Sequence, residues 1–82
     1  MRFDVLLHNL RLYKSRSQAA AAIQSGEALL DGQAVKPSRE AHSGQQISLA
    51  ARGTRRTLEI LELPQGSVSK EKARALVREI PT

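Results

Sequence analysis

With 82 residues, 40% of them hydrophobic, and no cysteine, the chain has the length of one small domain and is too apolar for a disordered tail. It can form no disulfide, thiolate metal site or cysteine nucleophile. One Phe, one Tyr and no Trp leave an aliphatic core and too few rings for recognition by base stacking. The net charge of +5 is unevenly placed: residues 1–56 hold nine Lys/Arg against four Asp/Glu, and residues 57–82 hold four of each. Such asymmetry suits a face that meets a polyanion, with a solvated basic surface as the alternative.

Phe3, Leu6, Leu7 and Leu10 recur at i, i+3, i+4 and i+7 and predict a short amphipathic first helix, with Asp4 suited to the positive end of its dipole. In the following stretch, RLYKSRSQAAAAIQSG at 11–26, Ser15-Arg16-Ser17-Gln18 fits the S-x-x-Q capping box. It predicts a second helix from about Arg16 to Ser25, stopped at Gly26. Ala19, Ala22 and Ile23 share one face, whose small alanines allow close approach to the first helix, so an antiparallel helix pair is expected. Asp31-Gly32 is a type I′ hairpin pair, predicting arms at Ala28–Leu30 and Ala34–Lys36. Pro37 closes the second arm and residues 38–45 read as a loop. Gln46–Ala51 reads as a strand with Ile47 and Leu49 inward, 52–55 as a turn, and Arg56–Leu63 as another strand. Ser69 is placed to cap a final helix carrying Ala73, Leu76, Val77 and Ile80 as an apolar stripe. The order is that of a small α+β domain spanning 1–82.

Catalytic chemistry is not evident. His8 and His42 have no partner at metal-ligand spacing, no nucleophile elbow is present, and the five glycines fall one per turn instead of forming a phosphate loop. Glu59 and Glu62 read as water-facing strand residues. No catalytic residue, metal or cofactor is expected, and the chain reads as a non-enzyme. Its only N-terminal apolar stretch, interrupted by Asp4 and His8, is too short and polar for a signal or membrane span, which favours a cytoplasmic protein.

Binding chemistry is better represented. The N-terminus of a helix offers unpaired amides and a positive dipole end, both suited to phosphate. Here Arg11, Lys14 and Arg16 surround that end, with hydroxyls from Ser15 and Ser17. Cations there oppose the helix dipole, so a bound anion would explain them; simple capping with solvent-facing cations is the bland alternative. Lys36 and Arg39 straddle Pro37-Ser38 on a stiffened corner, and Arg52, Arg55 and Arg56 form a third basic group. If four to six of these cations met phosphates, log affinity would fall with log salt at a slope of roughly −3 to −5.

These residues resemble the S4 RNA-binding domain. The shared pattern runs through Arg2, Asp4, Leu7, Arg11, Leu12, Lys14, Ser15, Arg16, Ser17, Ala19, Gly26, Gly32, Val35, Lys36, Pro37, Ser38 and Gly44. It covers residues 2 to about 49, with Asp31-Gly32 where the family usually has Asn-Gly and Gly44-Gln45 where it has Gly-Asp. The resemblance implies two N-terminal helices packed on a small, mainly antiparallel sheet (the alpha-L motif), with a C-terminal helix added here. It also implies RNA contact through Arg2, Arg11, Lys14, Ser15, Arg16, Ser17, Gln18, Lys36, Ser38 and Arg39, with Arg52, Arg55 and Arg56 as further candidates. The segment after the motif is similar to short bacterial relatives of heat shock protein 15. That similarity implies a stand-alone monomer binding rRNA and tRNA on the large ribosomal subunit, with a quality-control factor as a possible partner. A ribosome-assembly or regulatory RNA role, and a protein adaptor using the C-terminal helix, remain open.

Overall fold

The computed structural model describes residues 1–81; Thr82, the last residue of the expected domain span, lies outside the described residues. Helices α1 (Phe3–Asn9) and α2 (Arg16–Gln24) precede strands β1 (Ala28–Leu30), β2 (Gln46–Ala51) and β3 (Thr54–Ile60). Helix α3 (Lys70–Leu76) then runs directly into strand β4 (Val77–Ile80). The strands form one antiparallel sheet in the order β1-β2-β3-β4. This is the α+β architecture that the sequence pattern indicates.

Helix α1 forms because Phe3, Leu6, Leu7 and Leu10 bury one stripe completely. Its first amides are satisfied from far along the chain: Phe3 N–H donates to the Arg39 carbonyl at 2.8 Å and Asp4 N–H to the Pro37 carbonyl at 3.1 Å. The helix ends in a Schellman arrangement. Leu12 N–H reaches the Leu7 carbonyl at 3.1 Å and Arg11 N–H the His8 carbonyl at 2.9 Å, with Arg11 at φ 61° in the position usually given to glycine. Helix α2 is capped by Ser15, whose Oγ accepts from Gln18 N–H at 3.1 Å. Only this half of the expected capping box forms. Ala19, Ala22 and Ile23 are buried, and the small size of the two alanines lets α2 sit close against α1.

The sheet's inner face carries Leu30, Ile47 and Leu58 in one cross-strand row, with Ala28, Leu49 and Ile60 beside them in the core that Phe3, Leu6, Leu7 and Ile23 complete. Fully burying each of the larger side chains contributes about 1.5–3 kcal/mol, and the core is mainly aliphatic, with Phe3 its one aromatic ring.

Three expectations are corrected. Asp31 and Gly32 adopt left-handed backbone, φ 52° and 75°, and Leu30 and Gln33 exchange both hydrogen bonds at 3.0 Å. The second arm at Ala34–Lys36 does not form, however, because β1 pairs with β2 instead and the chain leaves to deliver its carbonyls to α1. The β2–β3 turn is Arg52-Gly53 alone, φ 49° and 80°, so the strand expected at Arg56–Leu63 starts at Thr54 and ends at Ile60. Finally, the last helix stops at Leu76. The Leu76 carbonyl accepts from Leu61 N–H at 2.8 Å and Glu62 N–H at 3.2 Å, and Val77–Ile80 pairs with the free edge of β3. Ala73 and Leu76 are buried on α3, but Val77 and Ile80 belong to a strand and alternate between its faces, so the expected four-residue helical stripe does not exist.

Candidate nucleic-acid interface

The centre of the basic surface is an acid. Asp4 is buried, with 4% of its side chain exposed, between two half-exposed arginines. Its Oδ1 accepts from Arg2 Nε at 3.2 Å and from Val5 N–H at 2.8 Å. Its Oδ2 accepts from Arg2 Nη2 at 3.1 Å and Arg16 Nε at 3.4 Å. Charge-assisted contacts of this kind fix guanidinium orientation. Arg16 opens α2, so Asp4 also offsets the unfavourable meeting of that cation with the helix dipole. Each guanidinium has five N–H donors, and those not used on Asp4 can face a phosphate. An internal carboxylate therefore accounts for Arg16 at the helix start, which the sequence alone attributes to a bound anion.

The 36–39 corner is fastened to the same place. The carbonyls of Pro37 and Arg39 are the acceptors for the first two α1 amides, which brings Lys36 and Ser38 beside Arg2. Arg2, Asp4, Lys36 and Ser38 line a shallow depression together with Ala20 and Gln24 of α2. Arg39 lies on the adjoining surface with Lys36 and Ser38. Arg2, Arg16, Lys36 and Ser38 are thus gathered at the α1–α2 end, as their sequence motifs suggest. Ser15 serves as the cap, while Ser17 and Gln18 are exposed on the first turn of α2.

Arg11 and Lys14 line a second groove with His8, Tyr13, Ser67 and Lys70. The Arg11 Nη1 donates to the Val68 carbonyl at 3.0 Å, which ties the α1–α2 connection to the segment before α3. Tyr13 is half-buried against the core and its hydroxyl donates to Glu27 Oε2 at 2.6 Å. Burial first, then the bond and charge of Glu27, push its pKa well above the ordinary 10.0. Its hydroxyl is engaged and its ring partly covered, which suits a spacer better than a stacking platform.

The third basic group does not stay together. Adjacent strand residues face opposite sides of a sheet, and Arg55 and Arg56 are adjacent on β3. Arg55 Nη1 contacts Ser48 Oγ at 3.2 Å on the outer face. Arg56 Nη2 pairs with Glu79 Oε1 of β4 at 2.8 Å on the other side, and Arg52 sits at the hairpin tip. Sequence reading also passes over two features: Asp4 as the organiser of Arg2 and Arg16, and Lys70 beside Arg11 and Lys14. Asp4 stands in the sequence as a first-turn acid and a member of the S4 pattern, with nothing to pair it with Arg16, and no spacing in the sequence links residue 70 to residue 14.

Among the described residues no group of three His, Asp or Glu side chains is arranged to hold a metal ion, and no helix is long and apolar enough to cross a membrane. Residues 1–47 match the family model of the S4 domain. A solved structure of heat shock protein 15 from Vibrio cholerae, described as trimeric, matches with a TM-score of 0.90 and 31% sequence identity, covering 98% of this chain and 81% of that one. No curated protein matches the chain by sequence. The family match falls on the helix pair and the 36–39 corner where the cations gather, which supports an RNA-binding role, and the chain belongs to the S4-domain family with a fold like that of heat shock protein 15.

Proposed function

We propose that this chain is a non-catalytic, cytoplasmic RNA-binding protein that docks on rRNA and tRNA of the large ribosomal subunit. It would act there in ribosome-associated quality control of stalled subunits carrying peptidyl-tRNA. The observation that carries the RNA reading is the clasp of Arg2 and Arg16 on buried Asp4 beside Lys36 and Ser38. It holds cations in fixed positions on a rigid helix pair, the arrangement needed to recognise the shape of a folded phosphate backbone without base stacking. The ribosomal assignment rests on the resemblance of the whole chain to heat shock protein 15 and its short stand-alone relatives. Residues 1–82 are taken as one domain acting as a single copy. Charged Arg78 and Glu79 on the β4 edge disfavour strand addition there, and light scattering would decide between a monomer and the trimer described for the Vibrio protein.

Co-sedimentation with free large subunits tests the proposal. The K14A/R16A variant is expected to lose association while keeping its helical circular dichroism; undiminished co-sedimentation of that folded variant would remove the ribosomal reading. Enrichment on subunits still bearing tRNA favours quality control over assembly. The adaptor alternative has as its support the charge-neutral C-terminal third and a helical stripe, and that stripe is divided between α3 and β4.

A further inference from the structure

We infer that α3 is part of the RNA-binding surface, with Lys70 and Arg74 completing a second phosphate-binding groove together with Arg11 and Lys14. This inference rests on the RNA-binding reading above and extends it to a segment outside the S4 match, which ends at residue 47.

Three observations converge. First, the fold brings Lys70 into the groove that holds Arg11 and Lys14, and a contiguous depression sharing Arg11 and Lys70 adds Arg74 and Arg56. Arg56 is answered by Glu79, but among the described residues Lys14, Lys70 and Arg74 make no ion pair. Like charges brought this close in water repel, and a polyanion lying along the groove would remove that repulsion. Second, the groove has a fixed wall. Arg11 is held by the Val68 carbonyl at 3.0 Å, and it occupies left-handed backbone where glycine would sit without strain. That backbone conformation, set by the end of α1, and the bond to Val68 together fix where the Arg11 side chain lies. Third, Lys14 is two residues from Arg16 and adjoins the α2 cap, so the groove continues the surface organised by Asp4. An RNA backbone crossing the α2 start would meet both. The C-terminal third, neutral in total, thus contributes two of its four cations, Lys70 and Arg74, to this groove.

The test is a fluorescence titration of an RNA stem–loop longer than the 28 Å greatest extent of the protein, repeated over a range of salt. For K70Q/R74Q the plot of log affinity against log salt is expected to be shallower by about 2, since each phosphate contact contributes roughly one unit of slope. K72Q is the control. Lys72 is on the same helix but lines a different depression with Glu62, Pro64 and Gln65, and its removal should leave the slope unaltered. Thermal melts establish that all variants fold. If the parent protein binds with a salt slope and K70Q/R74Q keeps it, or if K72Q loses as much as either Lys70 or Arg74 alone, the groove is overturned while the RNA-binding reading stands. If the parent shows no salt-dependent binding to any folded RNA, that reading itself fails. Unaltered RNA binding by K70Q/R74Q combined with lost subunit association would assign α3 to a protein contact instead.

Discussion

Arg11 stands in a left-handed conformation that costs an L-residue roughly 1–2 kcal/mol, at a helix terminus where glycine is the ordinary solution. Its side chain offers partial recompense through one exposed hydrogen bond to the Val68 carbonyl, worth about 0.5–1.5 kcal/mol. Replacing it with glycine relieves the strain, loses that bond and loosens the unfolded chain, so the three effects nearly cancel. R11G is therefore expected to unfold within about 1 kcal/mol of the parent protein, while its affinity for folded RNA drops several-fold. Denaturant melts and RNA titrations on the same preparation check both halves. A variant that is clearly destabilised yet binds normally would mean that Arg11 serves the fold through Val68 and not the ligand. Asp4 shows the complementary case: an acid in a basic surface is there to aim cations, and its neighbours Arg2 and Arg16 gain orientation by losing part of their freedom.

At the level of elements, the α1–α2 pair depends on side chains being absent as much as on those present. Ala19 is fully buried at that contact. A19L adds three carbons where no space exists, and overpacking of this kind costs about 1–3 kcal/mol. The expected result is a lower denaturation midpoint with weaker RNA binding, since displacing α2 moves Arg16 away from Asp4; unchanged melting would show that the helices are not in tight contact. The same distinction explains what the sequence made legible. Helices α1 and α2 and strands β1 and β2 are encoded locally, by a 3.6-residue stripe, a capping serine, a turn pair and an alternating run, and their limits follow from those residues. The Ala34–Lys36 arm and the end of α3 are decided elsewhere, by α1 amides that need carbonyls and by a β3 edge that needs a partner. Val77 and Ile80 fit a helical stripe on paper, yet they are β-branched and fit the strand equally well. The candidate site divides in the same way. Lys14, Arg16 and Lys36 stand out in the sequence because their motifs are short, whereas Asp4 as the organiser of Arg2 and Arg16 and Lys70 as the neighbour of Arg11 and Lys14 exist only after folding.

For the whole molecule, the single tyrosine ties the helix connection to the entrance of the sheet through Glu27. Its pKa is raised in the folded state, first by burial and then by Glu27. Folding therefore favours the protonated phenol. The stabilisation is complete below the ordinary value of 10.0 and is lost as pH rises through and beyond it. With no other Tyr and no Trp in the chain, ultraviolet absorbance reports this group alone. The expected curve is a phenol that resists ionisation above pH 10, with denaturant stability declining over the same interval. An ordinary midpoint, with stability flat across it, would show that the Tyr13–Glu27 tie is absent in solution.

The carbonyls of Pro37 and Arg39 that receive the first amides of α1 also set an order of events during synthesis. The N-terminal helix emerges first, but its starting turn has no acceptors until nearly half the chain has followed. A helix of that length is marginal by itself, so Arg2 and Asp4 wait, unplaced, for a corner not yet translated. The Arg2, Lys36 and Ser38 part of the cationic surface accordingly waits on the closure of this long loop. A nascent chain that has not reached residue 39 would have Arg2, Arg11, Lys14 and Arg16 but not their geometry, and could compete for RNA only weakly and without regard to its shape.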